Sequence, residues 1–193
     1  KQRVITASVL ALIALWVVLK LPVIGFGVAL AGVVLLCAWE WADLAGWRRP
    51  RERLAYGGVV LALILAIWPL MGHAALVVGL LLPVLAVWCY VLFWLWRYAG
   101  QPECQDRPLV IGVAGVVVLV AAWAALMGLR HEFGPSYVLF LLMLIWVADI
   151  GAYFAGRRWG RRKLAPTISP GKTWEGVWGA MAAALLFALI GLA

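Results

Sequence analysis

The stretch WVADIGAYFAGRRWGRRKLAPTISPGKTWEG, residues 146–176, joins an acid in an apolar segment to a run of cations and a Pro/Gly-rich motif. Asp149 lies in the apolar part, and five cationic side chains follow between Arg157 and Lys163. The motif SPGKT then leads into a second apolar segment. This combination predicts that the chemistry of the chain is located here, where two apolar helices meet a polar loop.

The composition indicates an integral membrane protein. Of the 193 residues, 67% are hydrophobic and 12% are charged, whereas a soluble domain has roughly 45–50% apolar residues. So few polar side chains cannot cover the outside of a soluble fold. The apolar runs are continuous rather than alternating, which excludes membrane-spanning strands. We therefore expect an all-α, polytopic transmembrane helix bundle.

Seven apolar segments approach the roughly 20 residues that a membrane-spanning helix needs. They cover residues 4–19, 23–45, 54–71, 74–96, 108–128, 136–156 and 174–193. We interpret residues 1–193 as a single transmembrane domain whose substrate loop is 157–173. Because the chain begins at Lys1 and ends within an apolar run, we expect it to be incomplete at the C-terminus.

The distribution of cations predicts the orientation of the helices. With the N-terminus in the cytoplasm, one side holds 14 cations, and the other holds only Lys20 and Arg130. Cytoplasmic loops carry such an excess of Lys and Arg. The net charge of +8 is thus explained by topology and by anionic lipids, and no nucleic-acid partner is expected. We predict a multi-pass protein of a bacterial inner membrane, with homodimerisation open.

The cysteines and histidines give no metal signature. Cys37 and Cys89 lie in apolar segments, Cys104 lies alone in a loop, and His73 and His131 are far apart. Such scattered residues form neither a disulfide framework nor a Cys-based metal site.

Three acids lie in apolar segments, where a charge costs at least roughly 2.5–3.5 kcal/mol at mid-helix. Glu40 and Asp43 share one helix face, and they either have a functional role or pair with Arg48 or Arg49. Asp149 lies deeper among small residues, which allow close helix approach or leave room for a ligand. We expect a functional role for Asp149, with a buried structural pair as the alternative.

The SPGKT motif predicts an anion site at a helix N-terminus. Ser169 suits an N-cap and Pro170 the first helical position. Gly171, Lys172 and Thr173 would then offer backbone N–H groups, an ammonium and a hydroxyl. The GKT tripeptide is not a nucleotide-binding P-loop, because that motif needs glycine where Pro166 stands and a strand–helix context.

The segments WVADIGAYFAGRRWGRRKLAP and ISPGKTWEG resemble those of phosphatidate cytidylyltransferases, also called CDP-diacylglycerol synthases. RVITA near the N-terminus and AWEWADLAG in the second segment show weaker similarity. The resemblance implies an enzyme that converts CTP and phosphatidate into CDP-diacylglycerol and pyrophosphate with Mg²⁺. It also implies that further metal-binding aspartates follow in a later cytoplasmic segment, so we expect only part of the site within these residues.

Taken with the residues, the resemblance assigns site roles. Lys172, Ser169, Thr173 and the Gly171 backbone are expected to hold phosphate oxygens, and Asp149 to bind or orient Mg²⁺. Lys163 and Arg158 would attract the anionic substrates. Glu175 would bind a loop cation or support the metal. The alternatives are a transporter or lipid-binding scaffold, and another CTP-using lipid enzyme such as a polyprenol or phytol kinase.

Overall fold

A computed structural model describes residues 2–71, 74–98 and 107–192, which form seven α-helices and one β-hairpin. The helices are α1 (Gln2–Lys20), α2 (Val23–Leu44), α3 (Pro50–Ile67), α4 (Ala74–Tyr98), α5 (Pro108–Phe133), α6 (Pro135–Trp159) and α7 (Trp174–Leu192). A short 3₁₀ helix, Trp68–Leu70, extends α3. Strands β1 (Lys163–Ala165) and β2 (Ser169–Thr173) form the antiparallel hairpin between α6 and α7. His73 and Cys104 lie outside the described residues.

Six of these helices are long and apolar enough to cross a membrane. Helix α1 contains a shorter apolar stretch, Ser8–Lys20. The prediction of an all-α, polytopic transmembrane bundle is confirmed, and the chain is a multi-pass membrane protein. Which side of the membrane each helix end faces stays a prediction.

The described residues divide into two compact units: the first has residues 2–71, 74–97 and 107–135, and the second has Tyr98 and residues 136–192. In the first unit, aromatic side chains connect the helices by donating hydrogen bonds to main-chain carbonyls. The buried Trp123 indole donates to the Gly27 carbonyl at 3.1 Å. The Tyr56 hydroxyl donates to Gly112 at 2.9 Å. Buried polar groups of aromatic side chains need such partners, so these bonds fix how α2, α3 and α5 pack.

Two arginines of the first unit have structural partners. Arg53 forms the ion pair with Asp43, and not Arg48 or Arg49, which one of the two alternatives for this acid named. The cause is geometric, since the chain turns after α2 and the first turn of α3 presents Arg53 to that carboxylate. Arg130 is buried at the end of α5, where it donates to the Leu21 carbonyl at 2.8 Å.

In the second unit, small residues bring α6 and α7 into close contact. A Cβ added to Gly151 would lie 2.6 Å from the Gly179 carbonyl oxygen and 2.6 Å from the Ala183 Cβ. One added to Gly176 would lie 3.1 Å from the Ala152 carbonyl oxygen. Glycine and alanine therefore permit main-chain contact between these helices, as the small residues around Asp149 predict.

The SPGKT motif is a strand, and not the predicted start of a helix. Ser169–Thr173 pairs with Lys163–Ala165, with an irregular register between the Lys163–Thr173 and Ala165–Ser169 pairs. Both strands of a two-stranded sheet are edge strands, and an edge strand tolerates a proline such as Pro170. Thr173, and not Ser169, caps α7, because its Oγ1 accepts a hydrogen bond from the Gly176 N–H at 3.2 Å.

Candidate functional site

An open cleft of about 820 Å³ lies within the second unit, between α6, the hairpin and the first turns of α7. Its size is in the range of ligand-binding sites, roughly 300–1,000 Å³. Its polar wall consists of Asp149, Tyr153, Arg157, Ser169, Lys172 and Thr173. Gly156, Gly171 and Gly176 also line it. We call it the Asp149 cleft.

Five of the eight residues predicted for the site lie on this cleft. They are Asp149, Ser169, Gly171, Lys172 and Thr173. Nineteen residues separate Asp149 from the SPGKT motif in the chain, and close packing of α6 with α7 places them on one surface. The predicted convergence of these residues is present in the structure, although their catalytic and binding roles stay predictions.

Asp149 is exposed to the cleft and not buried against a structural partner. Among the described residues, no cation or hydrogen-bond donor engages its carboxylate. Asp149 therefore does not form the alternative, a buried structural pair, with any described residue. A carboxylate with free oxygens on a cleft wall can bind a cation or accept a proton.

The cationic part of the cleft consists of Lys172 on β2 and Arg157 on α6. The Arg157 Nη1 donates a hydrogen bond to the Tyr153 hydroxyl at 2.7 Å, and its guanidinium lies 5.9 Å from the centre of the Tyr153 ring. Tyr153 therefore engages one N–H of the guanidinium and leaves other N–H groups available to a ligand. The prediction named neither Tyr153 nor Arg157 for the site.

The sequence contains a signal that points to Tyr153 and Arg157. Asp149, Tyr153 and Arg157 are spaced four residues apart, and this spacing puts side chains on one face of a helix. Arg158, which the prediction selected, follows Arg157 directly and does not line the cleft. The helical periodicity of α6 thus distinguishes two neighbouring arginines that a count of loop charges treats alike.

The backbone of α7 contributes less to anion binding than the motif predicts. The Trp174 N–H donates to the Arg162 carbonyl at 3.0 Å. The Gly176 N–H is bound by Thr173. Two N–H groups at the start of the helix are thus already engaged, and the cationic side chains that the cleft offers to an anion are Lys172 and Arg157.

Glu175 organises the loop before the hairpin. Its carboxylate accepts hydrogen bonds from the backbone N–H of Arg161 at 3.1 Å and of Arg162 at 3.2 Å. It binds the main chain of the loop, and neither Glu175 nor Lys163 lines the cleft. Two backbone bonds to one carboxylate restrain where the hairpin starts, and Lys172 lies on that hairpin.

The described residues provide a limited set of metal ligands. Within residues 2–71, 74–98 and 107–192, no three His, Cys, Asp or Glu side chains form a cluster that could hold a metal ion. Asp149 is the carboxylate on the described wall of the cleft. Magnesium is commonly held by one or two carboxylates together with substrate phosphates, so this wall fits one protein ligand of such a site.

The arrangement can bind a phosphate-bearing ligand next to a carboxylate, at the end of two membrane helices. Arg and Lys side chains form strong charge-assisted hydrogen bonds with phosphate oxygens. The apolar side chains Leu164, Val177 and Met181 line the same cleft. A ligand with both phosphate and apolar parts therefore matches its chemistry.

Comparisons with known proteins agree with this chemistry. The model of the Cytidylyltransferase family matches residues 1–193. The chain is 39% identical to a phosphatidate cytidylyltransferase of Pseudomonas aeruginosa, covering 94% of this chain and 66% of the relative. It is 33% identical to one of Haemophilus influenzae, covering 98% of this chain and 72% of the relative. The chain spans about two thirds of the length of these relatives. It belongs to the cytidylyltransferase family.

Proposed function

We propose that this chain is part of an enzyme that transfers a cytidylyl group from CTP to phosphatidate, giving CDP-diacylglycerol and pyrophosphate. The observation that carries the proposal is the Asp149 cleft, where a free carboxylate faces the Lys172 and Arg157 cations beside apolar side chains. The phosphatidate cytidylyltransferases named above share sequence with the chain over nearly its whole length.

The proposed reaction is an in-line displacement at phosphorus. A phosphate oxygen of phosphatidate forms a bond to the α-phosphorus of CTP, while the bond from that phosphorus to the bridging oxygen breaks. Pyrophosphate leaves with the electron pair of the broken bond. Catalysis of such a transfer depends on positioning and on neutralising the negative charge of the phosphates.

Lys172 and Arg157 have the positions and charge for this task. Lys172 offers an ammonium from the hairpin, and Arg157 offers a planar guanidinium fixed by Tyr153. Because both line one cleft, they would bind the phosphates of two substrates and reduce their repulsion. Ser169 and the Thr173 hydroxyl are the uncharged polar groups of the same wall.

Mg²⁺ is the proposed cofactor, with Asp149 as one of its ligands. When bound, the ion would neutralise phosphate charge and hold substrate oxygens in a fixed geometry. Asp149 fits because its carboxylate is exposed on the cleft and unpaired among the described residues. Its task in this chain is to hold a cation at a fixed place between α6 and the hairpin.

The proposed location is a bacterial inner membrane, with the cleft on its cytoplasmic face. Phosphatidate stays in the bilayer while CTP comes from the cytosol, so the site must lie at that interface. The excess of cations beside α6 and α7 favours this orientation. Membrane lipids are the surrounding partners, and a homodimer is compatible with the proposal.

The experiment is an assay of CTP-dependent CDP-lipid formation by the full-length protein in membranes. Removing one group that stabilises charge at an active site typically costs about 10²–10³ in rate. We expect at least about a 100-fold loss for Lys172→Ala and for Asp149→Asn. The matched control is Arg51→Ala, which removes an exposed cation at the start of α3 that does not line the cleft.

Thermal unfolding of each purified variant shows whether it is folded. Near-normal turnover in folded Lys172→Ala and Asp149→Asn would remove both residues from the site. A higher Mg²⁺ concentration for half-maximal activity in Asp149→Asn, together with weaker Mg²⁺ protection against unfolding, would support its role as a metal ligand.

A further inference from the structure

We propose that the first unit holds a binding site for one anionic phospholipid, formed by the end of α2, the last turns of α4 and the start of α5. An apolar groove would take an acyl chain, and Arg48 and Arg107 would bind the headgroup phosphate. None of its residues lines the Asp149 cleft. The site goes beyond the proposed catalytic function.

The apolar half of the site is a groove of about 260 Å³. Trp41 of α2, Tyr90 and Trp94 of α4, and Val110 of α5 form much of its wall. The Trp41 indole donates a hydrogen bond to the Ile111 carbonyl at 2.8 Å. This bond fixes the Trp41 ring, so the groove has a defined aromatic wall.

The polar half is a cavity of about 560 Å³ beside the groove. Asp43, Arg48 and Arg107 line it, together with the turn that follows α2. Arg107 and Ile111 line both the groove and the cavity. The two halves are therefore adjacent, with a cation at their junction.

The charges of the polar half favour an anion. Asp43 is neutralised by its ion pair with Arg53. Arg48 and Arg107 are exposed, and no carboxylate among the described residues pairs with either. Arg107 is also the N-cap residue of α5, so the positive end of that helix dipole adds to the attraction.

The combination favours a lipid over a soluble anion. A free phosphate would use the cavity and leave the apolar groove exposed. The groove lies between helices that are apolar enough to cross a membrane, near the end of each where a headgroup would be. Arginine at that level pairs with lipid phosphates, and Trp and Tyr prefer the same interface.

The test uses the full-length protein in detergent and dioctanoyl phosphatidylglycerol, an anionic diester that is not the proposed substrate. Native mass spectrometry gives the number of bound lipids and their affinity. Arg107→Gln removes one charge-assisted contact, and we expect it to weaken binding about tenfold. Ala114→Leu fills the apolar groove without changing charge, and we expect a similar loss.

The controls separate this site from other sources of binding. Arg51→Gln removes an equal charge outside both cavities, and Lys172→Ala changes the Asp149 cleft; we expect both to keep the affinity of the unmodified protein. Dioctanoyl phosphatidylcholine should bind at least about tenfold more weakly, and inorganic phosphate should not compete.

Four results would overturn the proposal. Equal affinity for the two lipids would mean non-specific contact with the apolar surface. Equal losses in Arg51→Gln and Arg107→Gln, or loss of binding in Lys172→Ala, would place the lipid elsewhere. Binding of inorganic phosphate as tight as that of the lipid would reduce the site to an anion site.

Discussion

The two units of this protein use the small residues between their helices in different ways. In the first, glycines leave room for aromatic side chains, as Gly27 does for Trp68, which packs on the fully buried Trp123. In the second, glycine and alanine let α6 and α7 touch through their main chains near Gly151 and Gly179. In the first unit, the polar groups of aromatic side chains donate hydrogen bonds to main-chain carbonyls. In the second unit, polar side chains face a cleft instead.

This difference indicates how a membrane protein can build a polar site from few charged residues. Where two helices meet through glycine and alanine, the longer side chains beside the contact converge. Asp149 and Arg157 on α6 then face Lys172 on the hairpin that precedes α7. Bulky residues at the contact would separate them. The small residues of the second unit are thus a condition for the site, and the aromatic residues of the first unit are a condition for stability.

The largest effect is expected from Gly151→Leu. Its Cβ would approach the Gly179 carbonyl oxygen to 2.6 Å, so α6 and α7 must separate. A displacement of about 1 Å at a site can reduce the rate about 100-fold, and we expect a loss of that size in CDP-lipid formation. Activity of the purified full-length variant, measured beside its thermal unfolding, checks this.

Gly58→Leu is the matched control for that variant. Gly58 lies within α3, and a Cβ there meets no atom within 4 Å. We expect its activity to stay near that of the unmodified protein. If Gly151→Leu kept full activity while folded, close packing of α6 with α7 would not be a condition for the site.

A smaller effect should distinguish Arg157 from Arg158. Arg157 lines the cleft and binds Tyr153, whereas Arg158 does not line it. Hydrogen bonds to charged groups contribute about 1.5–3 kcal/mol, so Arg157→Ala should lower kcat/KM about tenfold or more. Arg158→Ala removes the same charge and should change kcat/KM by less than about twofold. Equal losses would mean that these arginines act only through the general charge of the loop.

The sequence predicts the helices well because the membrane imposes a simple rule on them. A spanning helix must be apolar over a nearly fixed length, and six of the seven predicted segments correspond to helices that meet this rule. The location of Asp149 and Lys172 on one cleft could also be predicted, since an acid in an apolar segment and a lysine in a Gly/Pro motif have few structural roles.

The hairpin, the cap of α7 and the role of Arg157 in the cleft wall could not be predicted from segment length and composition. Strands of three and five residues with Pro170 and Gly171 are too short and too irregular for a period of two. The α7 cap moves to Thr173 because the preceding residues pair with β1, a tertiary effect that local preference does not include. Selecting Arg157 over Arg158 requires the orientation of α6, which depends on its contact with α7.

The smallest effect on turnover should come from the first unit, where Trp123→Phe tests whether aromatic packing serves stability alone. The substitution removes the hydrogen bond to Gly27 and part of a fully buried ring system. Interhelical bonds in membranes contribute about 0.6 kcal/mol on average, and the cavity left by the smaller ring adds to this. We expect a loss of about 1–3 kcal/mol, seen as a lower midpoint of thermal unfolding, with kcat/KM unchanged at temperatures where the variant is folded. Trp178→Phe, at an exposed position of α7, should leave the midpoint unchanged. A fall in kcat/KM for folded Trp123→Phe as large as that for Arg157→Ala would contradict the division of roles, because packing in the first unit would then control the chemistry of the second.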